Sequence, residues 1–331
     1  HGFALYDQAP DSTVAQNAYA YYFITRSDPS RSWDKETIFE TTTWRTNVWK
    51  FAGTPITPGM EKAGAGPSQE LVDSYEMIDG TQPILGYSDS DHLHPIINKE
   101  SSYDPKEPYK NRDPRFYASI YYNGSIRYLD NPNGDKVETF VGGNCGISDN
   151  VTDIRFTRTG YYMRKFLDPS VNHQYDKQPY PWRQIRYAEV LLNYAEACIE
   201  LGEDAEARKY INMIRERAKN TQHVKTMDQS QDAANYKVGV YDEPFKSKNE
   251  AVQALRMERR LEMAHEGIRF FDLVRWGVAD EVINAYIAKE KVFRSHLQNA
   301  HFVKGKHEYF PIPQSMIDIC GTEVMKQNPG Y

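Results

Sequence analysis

The run RYAEVLLNYAEACIELGEDAEARKYINMIRERA, from Arg186 to Ala218, constrains the fold of this chain more than any other stretch. From Ile185 onward, Ala188, Leu192, Ala195 and Ile199 recur at three- and four-residue intervals with Leu191 and Cys198 beside them, the spacing of a helix with one buried face. Gly202 supplies the left-handed conformation that closes such a helix. Asp204 stands where a second helix would be capped, and Ala207, Ile211 and Ile214 give that helix its own buried face. The spacing predicts a helical hairpin.

Its length suits one tetratricopeptide-like unit of about 34 residues, and a single unit leaves an apolar face that a neighbouring helix pair has to cover. The 331 residues provide for two or three domains or one large one. A mean hydropathy of −0.73 is on the polar side, yet the chain carries 24 Tyr, 14 Phe and 5 Trp. Tyr and Trp combine an apolar face with a polar tip, which suits sugars and peptides and equally suits structural use. The net charge of −6, with acids and bases interspersed, argues against nucleic acid as a partner. Cys145, Cys198 and Cys320 lack zinc-site spacing, and Cys198 falls on the helical face, where a free thiol serves as a small core residue. A Cys145–Cys320 bond stays open. No run reaches 18 apolar residues, and the opening HGFALYDQAP is neither a signal peptide nor led by Met, so an N-terminal part is expected to be missing.

Residues 1–66 are loop-rich and aromatic, with a short strand expected at Thr37–Glu40. Trp33, Trp44 and Trp49 cluster there without helical period, as plugs under loops or as a ligand platform. PSQELVDSYEMIDG reads as a short helix with Pro67 in its first turn and Gly80 at its end. Tyr87 to Lys110 reads as a polar loop whose Asp89, Asp91, His92 and His94 lack the spacing of a calcium or zinc site. FYASIYY, Asn123-Gly124 and SIRYL predict a β-hairpin. DNPNGD is a turn cluster, and VGGNCGISDN is no phosphate cradle because no Lys-Ser or Lys-Thr helix start follows it. Residues 220–247 form a long polar insertion.

A second helical block, residues 249–297, opens with NEAVQALRMERRLEMAHEGIRFFDLVRWG. Ala251, Leu255, Leu261, Ala264, Ile268 and Phe271 share one face, and Glu258, Glu262 and Glu266 lie four apart on another. Those acids, among Arg256, Arg259, Arg260 and Arg269, are expected to form ion pairs and not a catalytic set. The tail EYFPIPQSMIDICGTEVMKQNPGY allows one short helix.

RYAEVLLNYAEACIELG…INMIRERA, ERRLEMAHEGIRFFDLVRWG and PIPQSMID…QNPGY together resemble the SusD/RagB family of Bacteroidetes outer-membrane nutrient-binding lipoproteins. ELVDSYEMIDG, DPKEPYKNRDPRFYASI and TGYYMRKF resemble the family's middle segments in order. The resemblance implies a mainly α fold of tetratricopeptide-like helix pairs, with a loop-rich, ligand-facing portion at 1–180, containing a few short β-hairpins, and a helical portion at 181–331. Both are expected to form one continuous unit. It further implies a surface lipoprotein of the outer membrane, anchored through an N-terminal lipid that this chain lacks, with a SusC-like TonB-dependent transporter as partner and a glycan as ligand. No catalysis and no cofactor or metal are expected.

Sugar recognition needs aromatic faces against C–H faces, with amides, acids or Arg pairing the hydroxyls. The loop-borne sets that meet this are Trp44 with Arg45 and Asn47, Trp49, and Tyr87 with Asp89. Trp182 and Trp276, at helix boundaries, are expected in the core. Two alternatives are a helical-repeat scaffold that binds only protein and a two-carboxylate glycosidase, for which no motif selects a pair.

Overall fold

The structure, a computed structural model, describes residues 2–7, 18–24, 34–41, 63–126, 136–147, 155–167, 182–219, 239–294 and 297–331. Among them the fold is mainly helical. The helices are α1 (Ala18–Tyr22), α2 (Gln69–Ser74), α3 (Pro114–Ser119), α4 (Tyr187–Leu201), α5 (Asp204–Lys219), α6 (Lys248–Glu262), α7 (Arg269–Arg275), α8 (Ala279–Phe293) and α9 (Gln314–Cys320). Six short strands, β1 (Thr37–Thr41), β2 (Ile84–Tyr87), β3 (Pro95–Ile97), β4 (Ile120–Tyr121), β5 (Tyr162–Met163) and β6 (Trp182–Arg186), pair as β1–β6, β2–β3 and β4–β5.

The helical hairpin forms as its spacing predicts. Gly202, at φ 79°, turns the chain out of α4 while the N–H of Glu203 returns to the carbonyl of Cys198 at 2.8 Å. Ala188, Leu192, Ala195 and Ile199 on α4 and Ala207, Ile211 and Ile214 on α5 are all buried. The neighbour that covers them is α6, which packs on α4 and brings in Ala251 and Leu255. Asp204 begins α5 but does not cap it. Its two carboxylate oxygens take the Arg208 guanidinium and the Phe245 N–H.

Two segments depart from the expected pattern. FYAS is not a strand. Asp113 caps its amide at Arg115 and Pro114 sits in the first turn, so residues 114–119 coil into α3, and β4 then pairs with β5 at 162–163. Asn123-Gly124 is a turn, with Gly124 at φ 91°, and among the described residues β4 pairs with β5, while residues 127–129 of the expected second strand lie outside them. The second departure is α2, which starts after Ser68 and ends at Ser74, because the Ser68 hydroxyl takes the Leu71 N–H and Tyr75 is already extended. DNPNGD falls at 130–135, outside the described residues.

The chain divides into two compact units, residues 1–85 with 97–266 and residues 86–96 with 267–331. In the first, the aromatic content goes largely inward. Tyr75, Phe116, Tyr117, Tyr122 and Tyr161 form one cluster with Val72, Ile120 and Leu261, and Tyr6, Tyr19, Tyr22 and Phe23 form another with Ala18 and Ala118. Among these hydroxyls, Tyr19 donates to the Glu262 carbonyl at 2.8 Å and Tyr117 to that of Tyr109 at 2.7 Å. In the second unit, Leu273, Ala279 and Phe302 make a smaller core. Phe271, expected on the buried face, is exposed, because α7 is a separate short helix begun after the turn at His265 and Gly267 and no longer follows the register of α6. Cys198 is buried as expected, and all three cysteines are free thiols.

Candidate functional site

The β1–β6 ribbon is one place where the first unit sends aromatic side chains outward. Asp34 starts β1 by accepting the N–H groups of Glu36 and Thr37 and the Thr37 hydroxyl. β6 runs directly into α4, tied at Tyr187 N–H to the Glu36 carbonyl at 2.8 Å. Thr41 lies opposite Trp182 and Phe39 opposite Ile185, with register shifts between Thr37 and Glu40. The inward residues of β6 are arginines. Arg183 lies 4.1 Å above the Tyr22 ring and bonds the Thr37 hydroxyl, while Arg186 enters a buried ionic cluster.

Outward stand Trp182, 40% exposed, Phe39, 53%, and Ile185, 43%. Phe166 backs the indole at 4.9 Å, and Phe23 in turn backs Phe166 at 5.2 Å, so the ring is held by core contacts. Beside it the Gln184 amide donates to the Thr41 hydroxyl at 2.9 Å. An exposed, supported indole with an amide and a hydroxyl next to it meets the requirements of a saccharide ring. Trp182 is thus not a core residue. Binary patterning hides it because the residues buried in WRQIR are Arg183 and Arg186, the reverse of the usual polarity. Trp276 is half-buried and not core, with Arg269 and Arg275 against its ring at 5.7 and 4.8 Å.

Of the loop-borne residues expected to bind, Trp44, Arg45, Asn47 and Trp49 lie outside the described residues. Tyr87 ends β2 and Asp89 lies in the turn that follows it, both in the second unit. The Tyr87 ring stacks on His92 at 4.2 Å, and the Lys289 ammonium lies 5.8 Å from its centroid. Asp89 accepts the N–H groups of Leu93 at 2.9 Å and His94 at 2.8 Å. The Leu93 N–H, assisted by His94, holds this carboxyl below the usual carboxylate range. Both side chains shape the turn. Among the described residues, no group of three or more His, Cys, Asp or Glu is placed to hold a metal ion.

Glu258, Glu262 and Glu266 do form ion pairs, but with cations brought from other elements. Arg186 grips Glu266 through Nε and Nη2, both at 2.7 Å, and reaches Glu36 at 2.8 Å and Glu262 at 2.7 Å through Nη1. Arg217 joins Glu36 to Glu262, and Arg215 joins Glu76 to Glu258. Arg115 contacts Asp113, Glu258 and Glu262, and the Lys165 ammonium meets Glu266 at 2.6 Å. On α6 itself Arg259 turns to Asn193 and Glu189 of α4. Burial pushes the Glu262 carboxyl up, but Arg217, Arg186, Arg115 and Lys165 together outweigh it and hold it down to about 2. Burial lowers Lys165 to about 8, against the pull of Glu266, and lowers His265 to about 3. A glycosidase acid needs a raised pKa and a carboxyl that faces substrate. Glu258 and Glu262 have neither an exposed surface nor a free side.

Over residues 31–331 the chain matches the SusD family. It is 31% identical over 137 residues to a SusD-like protein of Formosa agariphila, an alignment covering 40% of this chain and 21% of that protein. A SusD-like protein from Bacteroides fragilis superposes on 100% of this chain at a TM-score of 0.68 and 25% identity, and a SusD superfamily protein from Bacteroides vulgatus on 98% at 0.54 and 19%. The chain spans 59% and 55% of the length of these two solved structures.

Proposed function

The chain belongs to the SusD family, and from that premise we propose that it is a non-catalytic glycan-binding protein that captures oligosaccharide or polysaccharide at the cell surface. It hands the glycan to a SusC-like TonB-dependent transporter of the outer membrane, and a lipid anchor on an N-terminal part holds it there. The observation that carries this reading is the exposed Trp182 ring, backed by Phe166 and flanked by the Gln184–Thr41 pair. The ring is 40% exposed and braced from behind by Phe166, which leaves an apolar surface held in place for a sugar ring to stack on. Trp44, Arg45, Asn47 and Trp49 follow β1 in sequence and are proposed to complete the ligand contacts; Tyr87 and Asp89 are proposed as a separate set on the second unit.

The test is isothermal titration calorimetry of the chain against a panel of plant, host and microbial polysaccharides, with Trp182→Ala, Trp44→Ala and Trp49→Ala in parallel and product analysis after each titration. Saturable binding without hydrolysis, weakened at least tenfold in Trp182→Ala, is expected. Glycan cleavage, or binding that survives all three substitutions unchanged, would sink the reading.

A further inference from the structure

Arg164 to Leu167 is a turn, closed by the Leu167 N–H on the Arg164 carbonyl at 2.9 Å, and its third residue, Phe166, has φ 71°. Positive φ at that position alone belongs to the type II turn, which ordinarily takes Gly or Asn there. A phenylalanine held in the left-handed region is strained, because its Cβ crowds the following carbonyl. Anchors on either side hold it. The Lys165 ammonium donates to the Tyr19 hydroxyl at 2.7 Å, the Ala264 carbonyl at 2.9 Å and Glu266 at 2.6 Å, and Leu167 is buried with Tyr121, Val137 and Tyr162. A glycine would satisfy turn and anchors alike. What glycine lacks is the ring, so the strain is sustained for what the ring touches. The half-buried Phe166 ring meets the buried Phe23 edge to face at 5.2 Å, and lies against Trp182 at 4.9 Å with 32° between the planes.

We propose that Phe166 is a positioning residue for glycan capture, fixing the angle at which the Trp182 indole meets a sugar ring. The proposal rests on the glycan reading of that surface. An indole free to change rotamer loses that freedom when a sugar stacks on it, and the loss subtracts from affinity. A ring braced from the core has already lost it on folding. Phe23 belongs to the cluster of Tyr19 and Tyr22, and the Lys165 ammonium sits 4.1 Å from its ring centroid, so the brace is continuous with the buried ionic cluster. An aliphatic side chain at this turn position would fill space beside Phe23 but offer the indole no flat face.

Fluorotryptophan incorporated into the full chain gives a fluorine resonance for Trp182, assigned by its loss in Trp182→Phe. Phe166→Leu keeps most of the bulk, Phe166→Gly suits the turn, and Phe166→Tyr keeps the flat ring. The first two are expected to move the Trp182 resonance toward that of free fluorotryptophan, and the third to leave it in place. Calorimetry then follows affinity for malto-, cello-, laminari- and xylohexaose. Phe166→Leu and Phe166→Gly are expected to weaken it about fivefold, the order that pre-ordering one side chain contributes, and Phe166→Tyr to stay within about twofold of wild type. A Trp182 resonance unmoved by both Phe166→Leu and Phe166→Gly overturns the proposal, whether or not any hexasaccharide binds. So does wild-type affinity in those two variants where Trp182→Ala has lost it. Binding that Trp182→Ala leaves intact would instead overturn the glycan reading, and with it the use of the brace.

Discussion

Replacing Glu262 by Gln removes the charge at the centre of the buried cluster and little volume. One oxygen of this carboxylate accepts from Arg186 at 2.7 Å and from Arg217, and the other meets Arg115 at 3.4 Å, with every participant out of solvent. Removing one partner of a buried pair costs about 3–5 kcal/mol, because cations remain that have lost part of their compensation. The pKa gives an independent figure. A fall from 4.5 to about 2 corresponds to about 3 kcal/mol of folded-state preference for the charged form. The two agree, and against a total stability of about 5–15 kcal/mol the loss is large.

Its pH dependence has a definite sign. The folded pKa lies below the unfolded one, so the contribution is whole above pH 4.5 and fades as pH falls toward 2. Urea unfolding followed by far-ultraviolet circular dichroism at pH 7 and pH 3.5 measures the gap between wild type and Glu262→Gln. It is expected at about 3–5 kcal/mol at pH 7 and smaller at pH 3.5. Glu107→Gln breaks an exposed pair with Lys110 and serves as control, with a change of about 0–1 kcal/mol. A gap below about 1 kcal/mol at pH 7, or one that does not narrow in acid, would refute the claim that this carboxylate holds the cluster together.

Lys165 is also shifted downward, but here the shift disfavours the charged form, so it costs stability at neutral pH. Its folded pKa, about 8, lies below its unfolded value of 10.5, so the unfolded chain binds more protons and stability is expected to rise as pH climbs from 8 to 10.5. Lys165→Met should abolish that rise, which urea midpoints at pH 8 and pH 10 would reveal; a rise that persists in the variant contradicts the assignment. Phe116→Ala empties a fully buried site among Tyr75, Tyr109 and Tyr122 and is expected to cost about 3–5 kcal/mol in the same assay. A loss under 1 kcal/mol would mean that this cluster collapses around the gap.

The helices that carry a one-sided apolar stripe were legible because their polarity follows their burial. α4 and α5 lie where the Ala, Leu and Ile spacing puts them, and Gly202 ends α4 as a left-handed residue. The Asp113-Pro114 start of α3 is an equally local signal, but the β-prone FYASIYY run competes with it and only the observed cap shows which prevails. The outward face of the ribbon was hidden for a different reason. In β6 the buried side chains are Arg183 and Arg186, so a pattern that equates apolar with inside assigns Trp182 to the core.

What the sequence determines alone is whatever depends on neighbours along the chain: the helical hairpin over 186–218, the second helical block, the short helix near the tail and the family likeness that these segments carry. Only the tertiary structure decides which cations meet Glu258, Glu262 and Glu266. Local spacing offers Arg256, Arg259 and Arg260 on the same helix, whereas Arg115, Lys165, Arg186, Arg215 and Arg217 arrive from other elements. A charge buried without a partner is prohibitively costly, so the folded chain selects the cations that packing brings to the acids. The same packing, with arginines filling the inside of β6, turns Trp182 to the surface.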